Sequence, residues 1–237
     1  MIYEYHIVIG NNDTILYMEN KTIYFCNKTK HIPPQVLQKW SDLNPLYTVQ
    51  LYDDAMCEDF LLKYYGPLHQ ELFQWLQDGP IKADFWRICI LNTYGGVYAD
   101  IDIDPFEPID SFLEKDVDFL TGSSFWEKKG FLFNPNIIIS KKDSPILQRC
   151  IQWYIKKYTE KCKYEYWEWS IMQAFTDCLQ LPKIVRTGGI YYLEGAKIQI
   201  IKECEGETHY DSHMQYKNRR LFNNRSRNWD HKTHKFH

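Results

Sequence analysis

The sequence predicts an α/β domain with a mostly parallel central sheet flanked by helices. Three observations lead there. Short β-type segments alternate with helical ones along most of the chain, the pattern of strand–helix–strand units. Residues 81–94 carry Ile81, Phe85, Ile88, Cys89 and Leu91 at the helical period and stop at Gly95-Gly96, as helices with glycine termini do. Directly afterwards, Val97 to Asp104 alternates apolar and polar residues, the signature of a strand.

In chain order, residues 1–10 and Thr22–Cys26 read as short strands, separated by the turn signal Gly10-Asn11-Asn12-Asp13. Pro33-Pro34 suits a first helical turn, where the missing N–H has no bond to lose, and Asn44-Pro45 stops that helix at Leu43. Tyr47–Tyr52 is a second strand, and Asp53-Asp54 can cap a helix carrying Met56, Phe60 and Tyr64. Another helix over about 67–77 ends at Asp78-Gly79-Pro80. Beyond the acidic strand, which Pro105 ends, Phe119–Ser123, Asn136–Ser140, Ile184–Arg186 and Lys197–Ile201 read as strands. Ser144–Tyr158 and residues 165–180 read as helices.

A chain of 237 residues fits one domain, residues 1–237. Its formal charge of −3 argues against a nucleic-acid partner. The charge is uneven: residues 209–237 hold seven Lys/Arg against two Asp/Glu. A basic C-terminal segment beside an acidic body can close on an anionic ligand between them; a solvated terminus has the same composition. The seven cysteines are scattered and form no C-x-x-C, which favours reduced thiols over a disulfide framework. No signal-peptide pattern opens the chain and no run approaches the ~18 apolar residues of a membrane span, so a cytoplasmic location is expected. The aromatic share of 16% supplies core and also suits sugar-binding surfaces.

The acidic strand carries the chemistry. Period 2 puts Val97, Ala99, Ile101 and Ile103 on one face and Tyr98, Asp100, Asp102 and Asp104 on the other. Carboxylates sharing a face repel one another unless a cation sits among them or the strand ends in solvent, and oxygen ligands of this kind suit Mg²⁺ or Mn²⁺. Asp84 and Arg87, at i and i+3 on the preceding helix, share a face; by themselves they also read as a surface ion pair. An EF-hand loop is excluded, because its glycine and glutamate positions hold Pro105 and Ser111. An Asp-nucleophile phosphohydrolase and a purely structural acidic strand stay open as alternatives.

The segment Ala83-Asp84-Phe85-Trp86-Arg87, followed by Tyr94-Gly95-Gly96-Val97-Tyr98-Ala99-Asp100-Ile101-Asp102, closely resembles the signature of DXD-containing sugar transferases. That family includes yeast-type initiating α-1,6-mannosyltransferases and the glucosyltransferase domains of large clostridial toxins. Ile32-Pro33-Pro34, Trp40 and Asn44-Pro45-Leu46-Tyr47 resemble its upstream block, and Asn134-Pro135-Asn136, Ser144-Pro145 and Thr187-Gly188-Gly189 its looser later motifs.

The resemblance implies a GT-A fold and a retaining glycosyltransferase that moves a hexose from a UDP- or GDP-linked nucleotide sugar to a glycan or other hydroxyl acceptor. It implies that Asp84 and Arg87 contact the donor's sugar and phosphate region and that Tyr98 lines the nucleotide pocket. Asp100 would hold ribose or sugar hydroxyls and approach the metal through water, and Asp102 would bind Mn²⁺ or Mg²⁺ directly. The family's His-Gln pair after the first strand is replaced by Phe25-Cys26-Asn27. Its C-terminal His and Ser-Trp correspond loosely to His209, with His213 as rival for a third metal or diphosphate ligand, and to Trp229 as a cap on the donor. Arg219, Arg220, Arg225 and Arg227 are candidate diphosphate clamps; Asn134 and Asn136 are candidate hydroxyl contacts. The cluster Trp153, Tyr154, Tyr158, Tyr164, Tyr166, Trp167 and Trp169 is a candidate acceptor platform, with helix packing the preferred reading for most of it. A Mg²⁺-dependent phosphohydrolase or a non-catalytic sugar-binding protein is the alternative.

Overall fold

The computed structural model describes residues 20–125, 130–181, 186–206 and 212–224, with the backbone alone of 229–230 and 235–236. The first strand expected from the sequence, residues 1–10, lies outside the described residues, as does most of Ile184–Arg186.

The chain runs β1 (Thr22–Cys26), α1 (Pro34–Leu43), β2 (Thr48–Tyr52), α2 (Asp54–Tyr65), α3 (Pro67–Trp75), α4 (Gly79–Tyr94), β3 (Gly96–Ala99) and β4 (Ile103–Pro105). It continues through β5 (Phe119–Ser123), β6 (Phe133–Ser140), α5 (Pro145–Thr159), α6 (Ile171–Leu179), β7 (Gly189–Leu193), β8 (Ala196–Glu205), β9 (Ser212–Tyr216) and β10 (Arg219–Asn224). The sheet has the order β2-β1-β3-β6-β5-β8-β9-β10-β4, with β7 on β8. Within the central part, from β2 to β8, the β1–β2, β1–β3 and β5–β8 pairs are parallel and only the two pairings of β6 are antiparallel. The extension through β9, β10 and β4 is antiparallel throughout. The α/β class and the largely parallel centre agree with the sequence reading.

Local chemistry explains the helix starts. Asp53 caps α2 by accepting from the Met56 amide at 2.9 Å, and Ser144 and Ser170 cap α5 and α6 through their hydroxyls. The helix expected over 165–180 is broken at Ser170: residues Trp167–Trp169 form a 3₁₀ turn, and α6 begins only after the serine cap.

Helix α4 differs from the amphipathic helix that its periodicity suggested. Trp86, Arg87 and Ile90 are buried along with the periodic set, because α2, α3, α5, α6 and the sheet surround it. A helix buried on all sides needs few polar groups and partners for each of them. One apolar core lies between α2–α6 and the sheet; a second, built on Phe25, Trp40, Ile109, Phe112 and Phe222, fills the opposite face beneath α1.

The turn from α4 into β3 depends on two glycines. Gly95 and Gly96 have φ of 67° and 105°, and a Cβ on Gly96 would stand 2.8 Å from the Thr22 carbonyl oxygen. Gly96→Ala is therefore expected to destabilise the fold by at least about 2 kcal/mol, read as a lower urea midpoint at unchanged slope.

The acidic segment departs from the sequence expectation. It is not one strand: β3 ends at Ala99, Asp100–Asp102 form a turn closed by the Ile103 amide on the Asp100 carbonyl at 3.2 Å, and β4 pairs with β10 instead. The Asp100 amide makes the last bond on the β6 side, to the Asn136 carbonyl at 2.9 Å. Asp104 leaves the acidic face and pairs with Lys39 of α1. The alternating pattern persists across the break because it records burial, while the hydrogen-bonding partner changes beneath it.

Candidate active site

Arg87 is the centre of the site. Its Nη2 lies 3.0 Å from Asp84 Oδ1 and 3.0 Å from Asp100 Oδ1. Its Nη1 donates to the Pro135 carbonyl at 2.7 Å, and Nε to the Ala83 carbonyl at 3.3 Å. The guanidinium sits 4.2 Å from the Tyr98 ring centroid, a cation–π contact, and the Tyr98 hydroxyl donates to Asp100 Oδ1 at 2.9 Å. Helix α4 supplies Asp84 and Arg87, and β3 supplies Tyr98. The Gly95-Gly96 turn brings the two elements together, so Asp84, Arg87, Tyr98 and Asp100 meet, a convergence that the sequence alone left unproven.

The Asp84–Arg87 pair is not the surface ion pair that its spacing alone allowed. The side chains are 11% and 5% exposed. Asp84 Oδ2 accepts from the Ile171 amide at 3.0 Å, so this carboxylate also ties α6 to α4. With both oxygens engaged, Asp84 positions Arg87.

Electrostatics divide the carboxylates by role. Burial raises Asp84 to about 6, with Arg87 and the Ile171 amide pulling it back. Burial raises Asp100 too, opposed by Arg87 and Tyr98. Asp102 is pushed up to about 7, first by burial and then by the Asp100 charge. Burial would lower the Arg87 value, but the negative charge of Asp100 and its neighbours outweighs this and holds the guanidinium above its ordinary range.

Asp102 is the chemically unsatisfied member. Among the described residues no other residue donates a hydrogen bond or an ion pair to its carboxylate, and its own amide is the donor that acts on it. A half-buried carboxylate beside a second one, to which no other described residue donates directly and on which Arg87 acts only at a distance, fits a divalent cation. Oxygen donors match Mn²⁺ or Mg²⁺, and Asp100 and Asp102 are the residues that would hold the ion. Among the described residues no cluster of three or more His, Cys, Asp or Glu adds to them.

The raised Asp102 value gives a pH prediction for the metal-free protein. Below about pH 4 the carboxyl is protonated in both folded and unfolded chains. As pH rises, the unfolded chain releases the proton first, so stability falls, and the loss is complete once the pH passes the folded value of about 7. Asp102→Asn is expected to stabilise the protein in EDTA at pH 8 and to have little effect at pH 4, measured by denaturant titration at each pH.

The other candidates fall into three groups. His209, Arg225 and Arg227 lie outside the described residues, and of Trp229 only the backbone, paired with Phe236, is described. His213 sits in β9, in register with Cys204 and Asn223. Arg219 and Arg220 are engaged away from the acidic turn, by Ser111 and Glu107 and by Asn223. Of the aromatic cluster, Tyr154 and Trp169 are wholly buried and Tyr158 and Tyr164 pack on Trp75, so helix packing accounts for these. Asn134 and Asn136 bond to Glu203 and Asn224.

Two participants were not singled out. Cys26, at the end of β1, lies 3.7 Å from the Tyr98 hydroxyl, and burial pushes its thiol up to about 12. The Pro135 carbonyl, which receives Arg87, is a backbone group and carries no side-chain signal; only the neighbouring asparagines marked its position.

Residues 34–119 match the family model described as "Glycosyltransferase sugar-binding region containing DXD motif". A mannosyl phosphorylinositol ceramide synthase of Saccharomyces cerevisiae is 36% identical over 104 residues, 40% of this chain and 27% of that protein. The initiation-specific alpha-1,6-mannosyltransferase of Candida albicans is 33% identical over 78 residues, 32% of this chain and 20% of that protein. The chain thus matches about a quarter of the length of these curated relatives. Among solved structures, the PaToxG glycosyltransferase superposes with a TM-score of 0.50 at 17% identity, covering 68% of each chain. The fold is of the GT-A type. Among the described residues no helix is long and apolar enough to cross a membrane.

Proposed function

We propose that this chain is a metal-dependent, retaining glycosyltransferase moving a hexose from a UDP- or GDP-linked nucleotide sugar to a glycan or other hydroxyl acceptor. The observation that carries the reading is the unsatisfied Asp102 carboxylate, held one turn from the Arg87–Asp100 pair. The names of the yeast relatives make mannose the first hexose to test.

Transfer from a nucleotide sugar requires that negative charge on the departing diphosphate be stabilised. A divalent ion, when bound, supplies that stabilisation as a Lewis acid. Asp102 would hold the ion directly, and Asp100 would orient it while its Oδ1 stays committed to Arg87 and Tyr98. Tyr98 keeps Asp100 in place through its hydroxyl and shields the guanidinium with its ring. His209 is proposed as a further ligand and Trp229 as a cap on the donor. The reading places residues 1–237 in one catalytic domain with its basic C-terminal segment beside the site, and extends to a reducing, cytoplasmic location, which the seven unpaired cysteines support.

The test is a panel of UDP- and GDP-linked hexoses scored for hydrolysis with and without Mn²⁺. Release of nucleoside diphosphate from one donor, dependent on Mn²⁺ and stopped by EDTA, is the expected result. Hydrolysis of none, together with no thermal stabilisation by UDP or GDP plus Mn²⁺, would overturn the assignment.

A further inference from the structure

Glu203 of β8 is only 5% exposed, although it is acidic. Its Oε1 accepts from Asn134 Nδ2 at 2.8 Å, from the Ser212 hydroxyl at 2.7 Å and from Asn224 Nδ2 at 3.2 Å. Its Oε2 accepts from the Phe125 amide at 3.4 Å. Only an acceptor with several lone pairs satisfies so many donors at once, and an ionised carboxylate is such a group.

The donors come from elements that bracket the acidic turn. Asn134 precedes Pro135, whose carbonyl receives Arg87, and Asn136, whose carbonyl receives the Asp100 amide. Asn224 is in register with Ile103, the residue after Asp102, donates to the Ser212 hydroxyl at 2.9 Å and accepts from the Asn136 side chain. One side of the network therefore fixes the entry to the turn and the carbonyl that holds Arg87. The other side fixes the exit. β6 and β10 are not neighbours in the sheet, and Glu203 is the group on which their side chains converge.

We propose that Glu203 is a positioning residue for the site: by clamping Asn134 of β6 and Asn224 of β10 it sets the Asp100–Asp102 turn against Arg87. The metal arm of its test rests on the glycosyltransferase reading; the backbone arm does not. Outer partners of metal ligands act in this way, and their loss typically weakens metal affinity about 10- to 100-fold.

Glu203→Gln keeps the size and one acceptor oxygen but removes the charge and the second acceptor. The full chain and this variant are compared by hydrogen exchange in EDTA and by Mn²⁺ titration alone, followed by isothermal calorimetry. Faster exchange of the Asp100 and Ile103 amides, with β1 amides unchanged, is the expected backbone result, together with Mn²⁺ affinity lower by about 10-fold or more. Unchanged exchange at Asp100 and Ile103 overturns the proposal whatever the metal does. Exchange raised uniformly across the sheet also overturns it, since that marks a general structural role. If the parent chain itself binds no Mn²⁺, the metal reading fails, and the exchange result still decides the positioning role. Ser212→Ala, which removes one donor to Oε1, provides a milder variant should Glu203→Gln not fold; it is expected to raise exchange at the same two amides, and no change there overturns the proposal.

Discussion

Asp102→Asn is expected to lower Mn²⁺-dependent nucleotide-sugar hydrolysis by about 100- to 1,000-fold, while leaving the fold intact and more stable than the parent at pH 8 in EDTA. The two effects have one origin. Asp102 is an anion to which no other described residue donates, and burial beside Asp100 raises it, so it destabilises the empty fold and is available to a cation. A neutral amide removes the burden and the ligand together, and such an inverse relation between stability and activity marks a functional site. Asp104→Asn is the control. Asp104 belongs to the same acidic run, but it is paired with Lys39, so its loss should leave the Mn²⁺ dependence unchanged. Equal activity in Asp102→Asn and the parent, assayed at saturating donor, would refute the role given to Asp102.

Arg87→Ala has the second large effect, and it acts on the whole molecule. The guanidinium is buried with Asp84 and Asp100 on either side. Removing it leaves two carboxylates facing a cavity and frees the Pro135 carbonyl. Breaking a buried pair in this way costs about 3–5 kcal/mol, so the variant should unfold at a much lower urea concentration and lose donor hydrolysis. Adding Asp84→Asn should restore part of the stability, because one stranded charge is gone, but none of the activity. A double variant no more stable than Arg87→Ala would show that Asp84 and Arg87 do not interact across the core.

Much of this was legible in the residues. Pro33-Pro34, Asp53, Gly95-Gly96 and Ser144 mark turns and caps through local chemistry, and α1, α2, α4 and α5 begin or end beside them. That Asp84 and Arg87 share a helix face and Tyr98 and Asp100 a strand face followed from spacing; that the two pairs meet did not. What escaped was non-local. Period 2 runs unbroken from Val97 to Asp104, yet the ladder passes from β6 to β10 in the middle of it, and no residue records that exchange. β9 and β10 were hidden in a segment whose basic charge also fits a solvated terminus; their apolar members Met214, Leu221 and Phe222 are few, and they complete a core begun by residues a hundred positions earlier. Glu203 had no signal, since a glutamate among polar neighbours reads as surface until donors from separate strands are seen to surround it.

The neutralisation of Arg87 by Asp84 and Asp100 bears on the order in which ligands can assemble. On the proposed reading, a diphosphate arriving alone meets, in Arg87, a positive charge already matched by Asp84 and Asp100, and the Asp102 carboxylate beyond it. Ion and nucleotide must then favour each other's binding, each tightening the other by one common factor, so that neither has a single dissociation constant until the concentration of its companion is stated.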